Sequence, residues 1–371
     1  MNFEFSEDQI FLKNQANKLL FDQGGASVCR HVTESGASFD RSLWDTIVKM
    51  GWTGAAIPER YGGHGLGHLE LCVIAEELGR IIAPTPFAST VYLAAEALML
   101  AGSEAQKEAH LPRIASGEAI GTLAVFERAG RLAPNALECS FADGRISGSK
   151  LPVPDGDVAD IAIVVAKDGG GDGIVLALVD LTGPGVSRSR IESFDGSRSQ
   201  ASITFEEAPA EILAEAGDGW ATLHRLFERA AVMVAFEQIG GAEQCLETAR
   251  AYALERHAFG RPIGSYQALK HKMADMYTKN VLARSNAYYG AWALSTDVPE
   301  LPLAAAAARI SAIQAYKFAA EESLHIHGGM GFTWEVDCHL YARRAKHLAL
   351  VLGSEGYWKQ RLVAALERQA A

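Results

Sequence analysis

The feature that most constrains the fold is a switch from helical to strand-like residue patterning near residue 121, and back again near residue 218. Before and after these points, apolar residues recur at three- and four-residue spacing, which indicates amphipathic helices. Between them lie short β-rich runs, including IAIVVAK and GIVLALVDL, separated by Asp, Gly and Pro. Because helices and strands occupy separate stretches, the sequence predicts an α+β fold and excludes a doubly wound sheet.

Three domains are predicted: an N-terminal helical domain over 1–120, a small middle β-barrel or sandwich over 121–217, and a C-terminal four-helix bundle over 218–371. The long helical segments of the bundle fall at about 219–256, 265–294, 302–327 and 335–369. Such segments give a bundle about 40–50 Å long. Ser6 stands three residues before Gln9, a capping-box pattern that predicts the start of the first helix. The stretch DGGGDG predicts a hairpin connection between two strands.

Charge and cysteine usage exclude several classes of protein. The net charge is −11 and no basic tract is present, so a nucleic-acid surface is not the main role. The five cysteines are scattered and include no CxxC pair, which indicates reduced thiols rather than a disulfide framework. The first residues, MNFEFSEDQI, lack a charged-then-apolar leader, and no apolar run reaches the ~18 residues of a membrane span. We therefore expect a cytoplasmic protein.

Two motifs that suggest other ligands carry little weight. GGHGLG follows a stretch containing Pro58 and Arg60 rather than a strand, which disfavours a dinucleotide-binding fingerprint. His325 and His327 form an HxH pair, but on a helix their rings point about 200° apart. The sequence therefore predicts no metal site.

The segment ERHAFGRPIGSYQALKHKMADM separates two helical stretches by a short Gly/Pro segment. Gly and Pro punctuate helices everywhere, so one interpretation is a plain turn. The segment also places Arg256 and Phe259 beside flexible glycines and Gln267. A guanidinium, an aromatic ring and an amide at one corner favour a second interpretation, a site for a flat anionic ligand.

The three-part plan and three of its segments, IPERYGGHGLG, RHAFGRPIGSYQALKHKMADM and HIHGGMGF, together resemble the acyl-CoA dehydrogenase family. The resemblance covers essentially the whole chain, and the combination is specific although no single motif is. It implies a helical, a β and a second helical domain, usually in a tetramer that binds FAD. It also implies that the Arg-x-x-Phe-Gly segment reaches across a subunit interface to the neighbour's FAD.

This resemblance assigns cofactor-binding roles to eight residues. Arg256 would pair with the FAD pyrophosphate, because a guanidinium fork suits phosphate oxygens. Phe259 would pack on the flavin or adenosine, and Gln267 would hydrogen-bond nearby. Gly328 and Gly329 would let the backbone approach the adenosine closely, since they lack a Cβ. The other three are His325, which replaces the family's usual Gln, and the flavin-contacting Gly353 and Ser354.

Two stretches of the β domain depart from the family pattern. Where the family usually has Thr-Glu-Pro and Trp-x-Thr covering the flavin ring, this chain has VFERAGRLAP and GSKLPVPDGDVAD. The second stretch resembles a branch associated with steroid side chains and other bulky acyl-CoAs, through Lys150, Val153, Asp155, Gly156, Ala159 and Asp160. The resemblance therefore implies altered flavin cover and a bulky or ring-bearing acyl group.

The catalytic Glu of many family members is missing. Its register holds Leu352, and the alternative position on the first bundle helix holds Ala230, neither of which can take a proton. Glu237 lies seven residues past Ala230, on the same face and about 10 Å along the axis. A lone carboxylate among apolar neighbours is costly, so Glu237 is either the base or the partner of a bundle arginine. Glu228, beside Arg229, is the fallback base, with an exposed ion pair as its alternative.

Two functions follow from the resemblance. The first is FAD-dependent α,β-dehydrogenation of an acyl-CoA thioester to the trans-2-enoyl-CoA, with an electron-transfer flavoprotein as acceptor and a homo- or heterotetrameric assembly. The second is a non-catalytic subunit that completes the FAD site of a catalytic partner in a heterotetramer. The missing base favours the second function, whereas Glu237 and the retained Gly353 and Ser354 favour the first. A flavin monooxygenase on the same fold is a third alternative.

Overall fold

The computed structural model describes residues 6–128, 132–170, 173–213 and 219–370. Four features of the sequence analysis lie wholly or partly outside these residues: the domain boundary at 217–218, the centre of DGGGDG, part of VFERAGRLAP, and MNFEF. The described residues form two compact units. Unit 1 is drawn from Met1–Glu34, His68–Ala83 and Ala231–Ala371, and unit 2 from Ser35–Gly67 and Pro84–Ala230.

The first third of the chain is helical, as predicted. Its helices are α1 (Glu7–Asp22), α2 (Ala26–Ser35), α3 (Arg41–Lys49), α4 (His68–Arg80), α5 (Glu96–Ala101) and α6 (Glu104–Ala115), with a π-helical turn at Ala88–Ala95. The predicted capping box is confirmed, because the Ser6 hydroxyl accepts from the Gln9 N–H and the Gln9 side chain accepts from the Ser6 N–H. None of the helices in the described ranges is long and apolar enough to cross a membrane.

Unit 2 contains the predicted β domain. Its strands are β1 (Gly121–Ala124), β2 (Ser140–Ala142), β3 (Arg145–Pro154), β4 (Ile161–Asp168), β5 (Ile174–Asp180), β6 (Val186–Ile191) and β7 (Gln200–Ile212). Hydrogen-bonded neighbours run β2, β3, β7, β5 and β4, and β4 pairs with β2 again, so these strands close into a barrel. β1 joins β4 in parallel, and β6 joins β7 antiparallel.

The C-terminal helices are α7 (Gly219–Glu255), α8 (Gln267–Thr296), α9 (Leu301–His327), α10 (Cys338–Leu348) and α11 (Glu355–Ala370). The first three match predicted bundle segments to within two residues at each end. The fourth predicted segment is wrong as a single helix, because the chain leaves the helical path between α10 and α11. Leu352 has φ +62° and Gly353 has φ +107°, and neither value is compatible with a right-handed helix.

Within unit 1, helices α4 and α7 touch backbone to backbone. A Cβ added to Gly79 would lie 1.9 Å from the carbonyl oxygen of Glu237, and one added to Gly240 would lie 1.8 Å from that of Glu76. Only glycine permits so close an approach. The crossing buries the middle of α7, where Glu237 is 1% exposed.

Candidate functional site

The corner between α7 and α8 is a β-hairpin. β8 (His257–Ala258) pairs antiparallel with β9 (Arg261–Pro262). Phe259 and Gly260 form the turn with φ +52° and +80°, and positive φ at both central positions is typical of a type I′ turn. Glycine suits such a position, but a bulky residue at positive φ is rare and costs about 1–3 kcal/mol. Strain of this kind is concentrated at functional sites.

Hydrogen bonds on both sides brace the hairpin. The Arg256 N–H donates to the Tyr252 carbonyl at 2.8 Å, and the Ile263 N–H donates to the Arg256 carbonyl at 2.7 Å. The Tyr266 hydroxyl donates to the Ala258 carbonyl at 3.0 Å. The hairpin is therefore a fixed projection from the end of α7 rather than a slack loop.

The cofactor-binding candidates at this corner face outward. Phe259 is 96% exposed, and Arg256 and Gln267 are exposed as well. Burying such a ring would gain about 1.5–3 kcal/mol, so a ring held outward at a strained φ offers apolar surface to a binding partner. The guanidinium beside it offers donors suited to phosphate oxygens. The corner thus has the chemistry to hold a flat ligand with an anionic part.

Gly328 and Gly329 lie just past the end of α9. Gly328 has φ +61°, and a Cβ added to either glycine would meet nothing within 4 Å. At Gly329 the protein's own packing therefore does not require glycine, and the open space there leaves room for close approach by a ligand. The Tyr252 and His327 rings stack with centroids 4.3 Å apart. This contact places His327, which directly precedes Gly328, against Tyr252 in the last turn of α7, four residues before Arg256.

His325 lies on α9, two residues before His327. Its side chain is 60% exposed, and its Nδ1 lies 3.7 Å from the Glu322 carboxylate. Among the residues that the structure describes, no cluster of His, Cys, Asp and Glu could hold a metal ion. We define the corner group as six exposed residues, Arg256, Phe259, Gln267, His325, Gly328 and Gly329.

Gly353 and Ser354 lie elsewhere in unit 1, in the turn between α10 and α11. The Gln314 side chain donates to the Glu355 carboxylate at 2.8 Å and fixes the start of α11 against α9. Gln314 precedes His327 by 13 residues, which is about 20 Å along α9. Within one chain the structure therefore does not bring Gly353 and Ser354 together with the corner group.

Leu352 fills the base register and offers no proton acceptor. It is 5% exposed, and with Gly353 and Ser354 it forms what we call the turn group. Gly353 is tightly packed, since a Cβ there would lie 2.5 Å from the Tyr357 ring. The Ser354 hydroxyl accepts from the Tyr357 N–H at 3.3 Å and so caps the start of α11.

Glu237 is buried and ion-paired. Its Oε1 lies 3.5 Å from Nη1 of Arg344, and both side chains are at most 2% exposed. Burial lowers the pKa of nearby Arg309 to about 9, and the charge of Glu237 opposes that shift. This is the ion-pair role that the sequence left open. The pair engages one oxygen of the carboxylate, and the role of Glu237 as the base stays a prediction.

Glu228, the fallback base, lies nine residues before Glu237 in α7 and belongs to unit 2. The exposed ion pair expected for it is wrong, because Glu228 is only 6% exposed. Arg229 instead contacts Glu96, whose side chain is 1% exposed. Ala230, the other base register, is fully buried.

In unit 2, the stretch that marks the steroid-type branch is built around Lys150. This lysine is fully buried, and it donates to the Glu127 carboxylate at 2.7 Å and to the Val125 carbonyl at 3.1 Å. Burial lowers the pKa of Lys150. Asp155 in the same stretch accepts from the Ser89 hydroxyl at 2.6 Å. The Lys150 contacts lie within the β domain, whereas the Asp155 contact ties that domain to the π-helical turn at Ala88–Ala95.

Family models cover most of the chain. The N-terminal domain of acyl-CoA dehydrogenase matches residues 6–118, and the C-terminal domain matches residues 217–366. The acyl-CoA dehydrogenase IpdE2 of Mycobacterium tuberculosis is 33% identical over 351 residues, which are 94% of this chain and 94% of that protein. The chain belongs to the acyl-CoA dehydrogenase family.

Solved structures of similar chains share the fold. A variant of the Tcur3481-Tcur3483 steroid ACAD has a TM-score of 0.88 at 30% identity, and the match covers 98% of this chain and 99% of that one. The ChsE4-ChsE5 complex of Mycobacterium tuberculosis gives 0.88 at 26% identity, with 99% of each chain covered. The predicted fold class is confirmed. Acyl-CoA dehydrogenases bind FAD, which confirms the predicted cofactor.

Sequence reasoning missed four residues that shape these sites. Tyr252 joins the two parts of the corner group, and the remaining three lie in the core of unit 1: Gln238, Arg309 and Arg344. Of these four, Arg309 could have been noticed in the sequence, because it is the one charged residue of the alanine-rich stretch LPLAAAAARISAIQAY. The other three have ordinary sequence surroundings, and only the fold identifies their partners.

Proposed function

We propose that this chain serves in FAD-dependent α,β-dehydrogenation of an acyl-CoA thioester whose acyl group is bulky or ring-bearing. Membership in the acyl-CoA dehydrogenase family supports the reaction class, and the relative described as a steroid ACAD supports a ring-bearing acyl group. The observation that carries the proposal is the outward-facing corner group, with Phe259 96% exposed beside Arg256. The electrons removed from the acyl group would pass to an electron-transfer flavoprotein.

The residues present suit FAD. Arg256 would hold the pyrophosphate, Phe259 would cover one of the rings, and Gln267 would hydrogen-bond beside it. The open space at Gly328 and Gly329 suits the adenosine. When bound, FAD supplies the acceptor for the hydride that leaves the β-carbon. The chain's own residues bind and orient it, and His325 would contribute at the adenosine end.

We place the corner group on the flavin of a neighbouring subunit in a tetramer, and the turn group on the chain's own flavin. The strained and exposed Phe259 supports this placement, since a ring held outward gains burial only when something covers it. The corner group and the start of α11 are about 20 Å apart along α9, which supports placing the two groups on different flavins.

Arg256→Ala tests the cofactor role. A hydrogen bond to a charged group contributes about 1.5–3 kcal/mol, so the dissociation constant of FAD should rise roughly 10- to 150-fold. FAD retention after dialysis and a flavin fluorescence titration measure this directly. Arg250→Ala is the matched control, because Arg250 is also exposed on α7 but lies outside the corner group. Equal FAD affinity in the two variants would contradict the proposal.

A second function, the non-catalytic subunit of a heterotetramer, is favoured by the ion pair between Glu237 and Arg344. With Leu352 and Ala230 in the two usual base positions, that pair engages Glu237, the first candidate for the base on α7. In this arrangement a partner chain of the same family would supply the base, while this chain supplies its corner group. The relative described as the ChsE4-ChsE5 complex supports a heteromeric assembly.

Glu237→Gln and Leu352→Glu, each compared with the wild type, separate these functions. All three proteins are loaded with FAD and mixed with cyclohexylpropanoyl-CoA in the absence of oxygen, and the flavin absorbance is followed. If Glu237 is the base, the wild-type chain bleaches its flavin, and Glu237→Gln retains FAD but loses the bleaching. If a partner supplies the base, the wild-type chain alone does not bleach, whereas Leu352→Glu, which restores a carboxylate in the family register, gains the reaction.

A further inference from the structure

Arg309 is a fully buried arginine that joins three separate stretches of unit 1. It lies in α9 at 0% exposure. Its Nη1 donates to the side-chain oxygen of Gln238 in α7. Its Nη2 donates to the Leu348 carbonyl and, at 2.7 Å, to the Val351 carbonyl. One guanidinium therefore ties α7 and α9 to the chain segment that leaves α10.

The two carbonyls that Arg309 holds belong to the turn that carries the turn group. Leu348 is the last residue of α10, and the last carbonyls of a helix have no partner within it. Val351 directly precedes Leu352, which has φ +62°. A non-glycine residue in this conformation is strained and persists only where its surroundings hold it. Arg309 supplies that hold from the core side.

An apolar side chain in place of Arg309 would avoid a large desolvation cost, since replacing buried charges by apolar groups is often neutral or stabilising. Burial is severe enough to lower the pKa of this guanidinium to about 9. What an arginine adds is a planar fork that donates in several directions at once. Its charge-assisted hydrogen bonds are roughly twice as strong as neutral ones. The directed bonds to the turn are the feature that an apolar residue could not reproduce.

We infer that Arg309 is a positioning residue for the cofactor site. By holding the Leu348 and Val351 carbonyls, it fixes Leu352, Gly353 and Ser354 in the conformation in which they meet the flavin. The flavin contact of these residues rests on the proposed function. The hold on the turn rests on the hydrogen bonds alone.

Hydrogen exchange followed by mass spectrometry tests the hold on the turn in the protein as purified with its cofactor. In Arg309→Met, peptides covering residues 349–356 should exchange at least tenfold faster than in the wild type, because their local opening loses charge-assisted bonds. Arg309→Lys, which keeps the charge but not the fork, should fall between them. Arg284→Met is the control, since it loses two partly buried ion pairs, to Glu76 and Glu243, in the same unit. It should leave these peptides unchanged.

FAD affinity and the visible flavin spectrum, measured on the same samples, test the link to the cofactor. Arg309→Met should weaken FAD binding at least tenfold and shift the flavin absorbance, whereas Arg284→Met should do neither. Unchanged exchange of residues 349–356 in both Arg309 variants overturns the inference, and so does faster exchange with unaltered FAD binding and spectrum. If Arg309→Met fails to fold, the same measurements on Arg309→Lys are compared with those on the wild type. A wild-type chain without FAD affinity refutes the proposed function, while the exchange comparison still decides whether Arg309 holds the turn.

Discussion

Breaking the ion pair between Glu237 and Arg344 should be among the most damaging single changes in unit 1. The two charges lie 3.5 Å apart with both side chains at most 2% exposed. At an effective dielectric constant of about 20, such charges attract by roughly 5 kcal/mol. Removing one partner of a buried pair costs about 3–5 kcal/mol, because the other charge is left uncompensated. We therefore expect Glu237→Leu and Arg344→Met each to lower the free energy of unfolding by about 3–5 kcal/mol.

The double variant distinguishes an ion pair from two independent residues. With both charges removed, little of the penalty remains, so the coupling free energy of the cycle should reach about 3 kcal/mol or more. Glu237→Leu should be the more costly single change, since it also removes a charge that supports protonated Arg309. Urea unfolding followed by far-UV circular dichroism measures these values, provided the slopes agree among variants. Additive single effects, with coupling below about 0.5 kcal/mol, would refute the ion pair and leave Glu237 available as a base.

Three further predictions concern the corner group and acid stability. Phe259→Asn should raise the free energy of unfolding by about 1 kcal/mol, since asparagine tolerates positive φ. The same change should weaken FAD binding. A melting temperature below that of the wild type would contradict the stability prediction. Gly329→Ala should reduce FAD affinity and leave the melting temperature unchanged. Gly328→Ala, at φ +61°, should reduce FAD affinity and also lower the melting temperature. Equal melting temperatures in the two variants would contradict this. Burial raises the pKa of Glu76, but the charges of Arg284 and a lysine outweigh it and leave the pKa below the usual 4.5. The stability that Glu76 contributes is thus present above pH 4.5 and is lost as the pH falls through the lowered pKa of the folded state. Urea midpoints measured between pH 7 and pH 3 should therefore show that Glu76→Gln loses less stability than the wild type. Parallel losses in the two proteins would contradict this.

Much of the fold could be predicted because its segments are long and strongly patterned. Helices α7, α8 and α9 each repeat apolar residues over more than 25 residues, so their bounds follow from periodicity. The strands IAIVVAK and GIVLALVDL stand out as apolar runs between turn residues. Arg256, Phe259 and Gln267 stood out because an arginine and an aromatic ring beside glycines are unusual at a helix junction, whereas the other three corner residues came from the family resemblance. Local patterning was sufficient for the helices, the strands and these first three residues.

Most features that escaped prediction depend on contacts between residues far apart in the sequence, and one, the corner hairpin, was missed because its strands are short. Leu352 favours helix by itself, and the break there is matched by bonds from Arg309, more than 40 residues away. The hairpin at the corner has strands of only two residues, too short for any alternation to be visible. Glu237 could be recognised as a carboxylate in apolar surroundings, but Arg344 lies more than 100 residues further along the chain. Sequence pattern limited its roles to two without choosing between them.

The central claim, FAD-dependent dehydrogenation of a bulky acyl-CoA, is tested most directly on the protein isolated, with any partner chains, through a tag on this chain from cells that express it naturally. Its flavin absorbance is recorded without oxygen, before and after addition of cyclohexylpropanoyl-CoA, with butanoyl-CoA as the small control. Our account predicts a protein that carries FAD, is bleached faster by the ring-bearing thioester, and forms the corresponding enoyl-CoA by mass spectrometry. An isolated protein that contains no FAD, or whose FAD neither thioester bleaches, would contradict it.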